Sequence, residues 1–159
     1  MAKFLMTELV DIAEVVTARL GAGTGSANWL SDKDVGKFAK LAGDSRYNLC
    51  AFGDEIEGRI SSYEAATQDA YSIGGVMQEG RFEVTFDGLQ GTAGVGVIAV
   101  GDYVVSGTPV VRGTALVTPA RVSKATAAGN TLNFKWRVMS LGAAGTGAVG
   151  TTGVIESIS

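Results

Sequence analysis

Short runs in which apolar and polar residues alternate recur along the chain. In residues 81–87, RFEVTFD, the apolar side chains Phe82, Val84 and Phe86 occupy every second position, and residues 131–139, TLNFKWRVM, repeat the pattern. A period of two residues is typical of β-strands that turn one face to the core and the other to water. We therefore predict two strands here. The predicted wet face of the first is Arg81, Glu83, Thr85 and Asp87, and the predicted core face of the second is Leu132, Phe134, Trp136 and Val138.

Glycine-containing turns separate these runs from others like them. Glu79-Gly80 lies between residues 71–78 and 81–87, which predicts a tight hairpin. About ten short strands at such close spacing are typical of a small barrel or sandwich. The expected fold class is therefore mainly β, a short-stranded barrel or sandwich with glycine-rich turns. The other predicted strands are 35–41, 47–52, 56–64, 96–100, 103–107, 109–113, 120–126 and 153–157.

The valine-rich segment 101–116, GDYVVSGTPVVRGTAL, combines strand-forming residues with frequent breakers. Three glycines and a proline interrupt its valines, so we expect short strands bent around a corner. The consecutive valines Val104-Val105 and Val110-Val111 predict strands whose two faces are both covered by other parts of the protein or by a neighbour. Burial within the chain's own barrel explains any single valine better than cover by a neighbouring subunit, and the second possibility stays open.

The first 28 residues differ from the rest in period and composition. Residues 7–20, TELVDIAEVVTARL, place their apolar positions on one helical stripe, which favours a short amphipathic helix. Their β-branched residues leave an extended arm open as the alternative. Residues 21–28, GAGTGSAN, predict a flexible joint. We therefore divide the chain into an N-terminal helix or arm with its joint, residues 1–28, and a β domain with a C-terminal strand, residues 29–159.

Composition and charge narrow the classes of partner. Of the 159 residues, 46% are hydrophobic, only 18% are charged and 23 are glycine, which suits many turns and extensive contact surface. The net charge of −3 offers no long-range attraction to a polyanion, so we expect no direct nucleic-acid partner. No run approaches the roughly 18 apolar residues of a membrane span, so we expect no membrane partner. The single Cys50 and the lack of a charged-then-apolar leader favour synthesis in a reducing cytoplasm.

Residues that could carry catalysis are few. The chain has no histidine, which removes the usual base of Ser-His-Asp and Cys-His catalysis and most zinc sites. Cys50 lies on a predicted strand, where a cysteine is usually a small core residue. Asp32 and Asp34 favour cap or turn roles over calcium binding. Four further acidic residues could form a glycosidase pair, but a solvated edge explains them better. These are Asp54, Glu55, Glu57 and Glu64.

Two glycine motifs imitate nucleotide-binding fingerprints. Residues 145–150, GTGAVG, match G-x-G-x-x-G, but that fingerprint needs a following helix whose N-terminus holds the pyrophosphate. Only nine residues remain, and TTGVIESIS predicts a strand. Residues 35–37, VGK, lack the upstream glycine of a phosphate loop and have Ser31 there. We therefore predict a protein that is not an enzyme, with no catalytic, cofactor-binding or metal-binding residues and no cofactor.

The order of several segments resembles the head decoration, or cement, proteins of tailed bacteriophages. The likeness covers roughly residues 30–159 and, more loosely, the N-terminal segment, and it consists of strands, GD turns and a V-x-x-G-T stretch. The segments that carry it are LSDKDVGKFAKLAGDSRYNLCAFGDEIEGRISSYEAAT (30–67), YSIGGVMQEGRFEVTF (71–86), VGDYVVSGTPVVRGTAL (100–116) and NFKWRVMSLG (133–142).

The resemblance implies a small β-rich structural protein without an enzymatic site. Such proteins commonly form trimers and bind the outside of an assembled capsid at threefold positions, where they bridge neighbouring capsomers. The implied partners are the major capsid protein and copies of the chain itself, as a homotrimer. The implied location is the capsid exterior of the virion, after synthesis in the host bacterial cytoplasm. We further hypothesise that residues 1–28 and the terminal strand 153–158 act as arms that add to a neighbour's sheet edge or lie on the capsid.

Two alternatives belong to other classes. The first is another structural β protein of the virion, such as a tail-tube or fibre component, which would also oligomerise without catalytic residues. The second is a small carbohydrate-binding or enzymatic β domain, which calls for clustered exposed aromatic residues. Trp29 and Trp136 are distant in sequence, and Trp136 alternates as a core residue.

Overall fold

Two small β-barrels follow one another along the chain. The computed structural model describes residues 15–21, 29–43, 46–64, 72–126 and 131–158. These residues contain one short 3-10 turn, Asp32–Asp34, and eleven strands. The strands are β1 (Val15–Leu20), β2 (Phe38–Leu41), β3 (Arg46–Leu49), β4 (Gly58–Ile60), β5 (Ile73–Met77), β6 (Arg81–Leu89), β7 (Thr92–Ala93), β8 (Tyr103–Ser106), β9 (Arg121–Lys124), β10 (Trp136–Leu141) and β11 (Thr152–Ser157). The prediction of a mainly β fold, a short-stranded barrel or sandwich, is confirmed, and the strands form barrels.

The first barrel has the strand order β1-β3-β2-β4-β5 and closes where β5 pairs with β1. The β1–β3 pair is parallel and the other pairs are antiparallel. Its interior is narrow: a Cβ added at Gly74 would overlap the carbonyl oxygen of Ser62 and lie 2.5 Å from Leu20 Cδ1. Glycine in β5 is therefore what allows the strands to approach so closely. The buried residues of this core are Leu20, Leu30, Ala39, Tyr47, Ile60 and Val76.

The second barrel has the order β6-β11-β10-β8-β9. It closes because β6 pairs antiparallel with β11 and parallel with β9, while the short β7 continues the edge beside the end of β6. Its core is larger and more aromatic than that of the first barrel. The buried residues from its own part of the chain are Phe82, Val84, Phe86, Ile98, Val104, Ala120, Val122, Trp136, Val138 and Ile155.

Aromatic packing joins the two barrels. Phe82 stacks on Trp136 with ring centroids 4.8 Å apart, and Phe38 of the first barrel lies 6.5 Å from Phe82. The Trp136 indole N–H donates a 2.8 Å hydrogen bond to the carbonyl of Ile56, and the Arg59 guanidinium lies 4.6 Å from the centre of the Phe82 ring. The prediction that Trp136 is a core residue is confirmed, since it is buried at this junction.

The helix predicted over residues 7–20 is wrong for residues 15–20, which form strand β1. Five consecutive residues of β1 pair with β5, so the extended alternative holds here. Residues 15–20 are thus part of the first barrel and not of an arm. Residues 1–14 and residues 22–28 of the predicted joint lie outside the described residues, and Gly21 forms an isolated bridge with Trp29.

The predicted hairpin at Glu79-Gly80 is also wrong. β5 pairs with β1 and β4, whereas β6 pairs with β11 and β9, so the turn links the two barrels. Gly80, at φ 120°, exchanges hydrogen bonds with Ser157, since its N–H donates to Ser157 Oγ and its carbonyl accepts from Ser157 N–H. These hydrogen bonds hold Gly80 beside the end of β11, where the second barrel begins.

The predicted C-terminal strand exists, but it cannot add to a neighbour's sheet edge, which is one of the two arm roles hypothesised for it. β11 pairs with β10 on one side and with β6 on the other, so both of its edges are occupied within the chain. The hypothesis that residues 153–158 reach a neighbour's sheet is therefore wrong. Pairing on both edges leaves no free backbone groups for strand addition.

Several strand predictions need smaller corrections. Residues 96–100 make only one isolated bridge, from Val97, and residues 109–113 form no strand. The strand predicted from residue 131 begins at Trp136, and Phe134 before it is 39% exposed. The remaining predicted strands are present with shifted ends: β6 and β11 are longer than predicted and most of the others are shorter.

The face assignment of β6 is half right. Phe82, Val84 and Phe86 are buried as predicted, but so are Thr85 and Asp87 on the face expected to be wet. The segment between β8 and β9 covers that part of β6.

Candidate protein-docking site

Three of the residues that could carry chemistry, Cys50, Asp54 and Glu55, are engaged in structural contacts. Cys50 is buried and its Sγ lies 3.7 Å from the carbonyl of Glu55. Burial raises the pKa of the Cys50 thiol far above its ordinary value, so the reactive thiolate does not form near neutral pH. The Glu55 carboxylate accepts hydrogen bonds from the backbone N–H groups of Asn133 and Phe134, and Asp54 pairs with Lys40 at 2.6 Å.

The glycine motif at 145–150 lacks the context of a dinucleotide site. Residues 143–150 form a loop that leads into β11, a strand, so no helix N-terminus faces the motif. Among the described parts of the chain, no three His, Cys, Asp or Glu side chains come together to hold a metal ion.

The most distinctive surface element is the docking loop, which we define as residues 108–119 between β8 and β9. Its sequence TPVVRGTALVTP carries one charged residue, Arg112. Val111 is 75% exposed and Val117 is 97% exposed, so two branched apolar side chains project into water. Burial of Val111 within the chain's own barrel, the favoured explanation, is thus wrong, and cover by a neighbouring subunit stays a prediction. Val104 and Val105, upstream in β8, are buried as predicted.

Asp87 anchors the start of the docking loop. This carboxylate, buried at the end of the β6 core, accepts hydrogen bonds from the Thr108 backbone N–H at 2.7 Å and from the Thr108 hydroxyl. Its other oxygen lies 3.2 Å from Arg121 Nη1, at the start of β9. One buried carboxylate thus ties both ends of the segment to β6, and a buried carboxylate with charged and backbone donors makes strong hydrogen bonds.

A buried ion pair anchors the middle of the docking loop to the first barrel. Lys37 Nζ donates to Asp34 Oδ1 at 2.7 Å and to the carbonyl of Val111 at 2.8 Å. The Gly113 N–H donates to the same Asp34 oxygen at 2.9 Å. The other Asp34 oxygen accepts from both the N–H and the hydroxyl of Ser31. The predicted cap role of Asp34 is therefore confirmed, and the carboxylate also holds a loop 79 positions away.

The pKa of Asp34 follows from this arrangement. Burial by itself raises the pKa of the carboxyl, but the hydrogen bond from Lys37, the backbone N–H groups of Ser31 and Gly113 and the charge of Lys37 outweigh it. The net pKa lies below its ordinary value of 3.8. The anchor is therefore ionised at neutral pH.

Thr85 anchors the end of the docking loop. Its hydroxyl donates to the carbonyl of Pro119 and its backbone N–H donates to the carbonyl of Ala120, both at 3.0 Å. Leu116 packs against the second core, and its Cδ1 would lie 3.1 Å from a Cβ at Gly36. The loop is thus fixed at its start, middle and end.

Beneath the docking loop lies a small recess. Its volume of about 20 Å³ leaves space for a single water and not for an organic ligand. The recess is lined by residues that include Lys37, Phe38, Val110, Leu116, Ala120 and Arg121.

Sequence reasoning singled out the valines of this segment but missed its anchors. The i, i+3 spacing of Asp34 and Lys37 is a weak local signal for an ion pair. Nothing in the local sequence shows that the pair is buried, or that Asp87 and Thr85 face the loop.

No helix in the described part of the chain has the length and apolar character needed to cross a membrane. Comparison with protein-family models, with curated protein sequences and with solved structures finds no match to this chain.

Proposed function

We propose that this chain is a structural virion protein that binds the outer surface of an assembled phage capsid. It acts as a homotrimer and stabilises the shell by bridging capsomers, with the major capsid protein as its partner. The observation that carries the proposal is the docking loop, a segment fixed at three places that presents Val111 and Val117 to water. The resemblance of residues 30–159 to head decoration proteins supports it independently.

A fixed loop suits protein adhesion because little conformational entropy is lost when it binds. Ordering a mobile side chain or loop costs about 0.5–1.5 kcal/mol per immobilised side chain, and here the anchors hold the backbone in place beforehand. Exposed valines next to a single charged side chain gain free energy when another apolar surface covers them. The docking loop can therefore make a modest contact without a large rearrangement.

A trimer multiplies such modest contacts. Once one subunit is bound, the second and third contacts are intramolecular, which raises the overall affinity by a factor of about 10² or more. A shell under outward pressure from packaged DNA is held together when one trimer spans several capsomers. Each docking loop then needs only weak affinity of its own.

The test is binding of purified protein to purified heads of the phage that encodes it, followed by cosedimentation. We expect Val117→Asp to lower occupancy at least tenfold, because a carboxylate must lose its hydration to enter an apolar contact. Val15→Asp, a matched change of a half-exposed valine on the outside of the first barrel, should bind as the wild type does. Equal occupancy for the wild type and Val117→Asp would contradict the role of the loop. Rings or open polymers of the isolated protein would favour a tail-tube component.

A further inference from the structure

One end of the second barrel is devoid of charge over two long segments. Residues 88–101 and residues 140–153 together make 28 positions without a single Asp, Glu, Lys or Arg, in a chain that is 18% charged. We call these two segments the neutral face. At the average charge content of this chain, about five of its residues would be charged.

The two segments of the neutral face meet in space. Val97 forms an isolated bridge with Ala148, and the Ile98 N–H donates a 3.0 Å hydrogen bond to the carbonyl of Gly147. A side chain at Gly147 would overlap the carbonyl of Ile98, so the backbones are in direct contact there. The segments therefore form one continuous surface.

This surface exposes large apolar side chains. Val97 is 64% exposed, Val100 59% and Val95 55%, and Leu89 and Val149 are each exposed by more than a third. Isolated exposed valines are common on soluble proteins, but five large apolar side chains on an uncharged surface mark a contact site.

A pair of opposite charges lies at the edge of the neutral face. Lys124 Nζ lies 2.9 Å from Asp102 Oδ1, at the place where β9 ends and β8 is about to begin. A second oxygen of Asp102 accepts a hydrogen bond from the Ala99 N–H. An uncharged centre with a polar border is the usual anatomy of a protein–protein interface.

The size of the neutral face matches a stable contact. Its buried members are four, Gly88, Ile98, Gly147 and Gly153, and the other 24 are at least partly exposed. A specific interface of standard size uses about 20–30 residues from each partner. Many of the exposed residues are glycine and alanine, which let two backbones approach closely.

We propose that the neutral face is the surface through which this chain binds a second copy of itself, an inference that rests on the self-association within the proposed function. The partner surface must also lack charge, because a charged side chain facing the neutral face loses its hydration without gaining a counterion. The neutral face itself meets that requirement. Copies with a net charge of −3 repel one another, and contact through uncharged surfaces keeps that repulsion smallest.

The test is light scattering of the purified full-length protein over a wide concentration range, combined with capsid cosedimentation. We expect the wild type to form a discrete oligomer. Val97→Asp and Val100→Asp should each raise the concentration at which half of the protein is assembled by at least tenfold. The matched control is Val15→Asp on the outside of the first barrel, which should assemble as the wild type does. Circular dichroism checks the fold of each variant. If Val97→Asp does not fold, the result for Val100→Asp, whose side chain lies in an exposed turn, tests the proposal by itself.

The outcomes separate this proposal from the proposed function. A wild type that stays monomeric, or variants that assemble normally, would overturn the self-association surface. Normal assembly of Val97→Asp with lost capsid binding would also overturn it, because the shell would then be what covers the neutral face. A wild type that assembles through this face but does not bind capsids would support the neutral-face proposal and refute the capsid function.

Discussion

The two barrels of this protein have the same number of strands and close in the same way, yet their interiors are different. Each contains five strands with a single parallel pair, β1–β3 in the first barrel and β6–β9 in the second. The first encloses aliphatic side chains and Tyr47, and glycines in its strands stand where a side chain would not fit. The second encloses the stacked rings of Phe82 and Trp136 together with Phe86.

This difference indicates that the first barrel depends on the second for part of its stability. Phe38, Cys50 and Ile56 come from the first half of the chain, yet they are buried in the second core. The apolar area that an isolated first barrel could bury would therefore be small, and small cores are marginal on their own. The docking loop adds a polar connection from the second half of the chain to Asp34 and Lys37.

The largest expected loss of stability comes from Trp136→Ala, which removes the aromatic ring that contacts both barrels. Truncating a buried tryptophan costs about 3–5 kcal/mol, and we expect the upper end of that range because the Ile56 carbonyl also loses its donor. If the barrels are coupled, amide hydrogen exchange should increase in both. Urea unfolding should remain a single transition.

Trp136→Phe is the matched control for this substitution. It keeps an aromatic ring against Phe82 but removes the indole N–H, so the loss should fall to about 1–3 kcal/mol. Increased exchange confined to the second barrel in Trp136→Ala would contradict the dependence of the first barrel on it.

The next largest loss of stability is expected for Asp34→Asn. It leaves the buried Lys37 ammonium without a counterion, and breaking a buried pair in this way costs about 3–5 kcal/mol. We expect the lower end, because the Asn oxygen still accepts a hydrogen bond. The double variant Asp34→Asn/Lys37→Met should recover part of the loss. Urea unfolding at pH 7 measures both.

The same carboxylate gives this prediction a pH dependence. The pKa of Asp34 is lower in the folded chain than its ordinary value of 3.8, so ionised Asp34 contributes stability above that pH. The contribution is lost as the pH falls through the folded pKa. The difference in the free energy of unfolding between the wild type and Asp34→Asn should therefore become smaller as the pH falls from 5 through the folded pKa. Urea unfolding at each pH measures it. A difference independent of pH would contradict the ionised anchor.

The barrel class could be predicted from sequence because it rests on local patterns. Alternation in residues 81–87 identified the core residues Phe82, Val84 and Phe86, and glycine turns indicated many short strands. The pairing of those strands could not be predicted, since the sequence around Gly80 suits a hairpin as well as a link between barrels. Pairing depends on partners far along the chain, such as β6 with β11.

The N-terminal segment shows how distant contacts override a local pattern. Residues 15–20 fit a helical stripe, but their β-branched side chains suit a strand equally well, and pairing with β5 decides the outcome. The sequence reveals only part of the docking loop, because its anchors also depend on distant contacts. Its valines are visible in the sequence, whereas its anchors, Asp87 and Asp34, act across many residues and look like ordinary surface carboxylates.

The smallest effect we predict tests the tight wall of the first barrel directly. Gly74→Ala places a methyl group against the Ser62 carbonyl and Leu20, and overpacking of this kind costs about 1–3 kcal/mol. The matched control is Gly91→Ala in the second barrel, where nothing lies within 4 Å of the added carbon. Because it only restricts the unfolded chain, that change should be neutral or stabilising by up to about 1 kcal/mol. Thermal unfolding compares the two. Equal stability of both variants would show that the first barrel yields to an extra methyl group, and that its narrow interior is not what distinguishes it from the second.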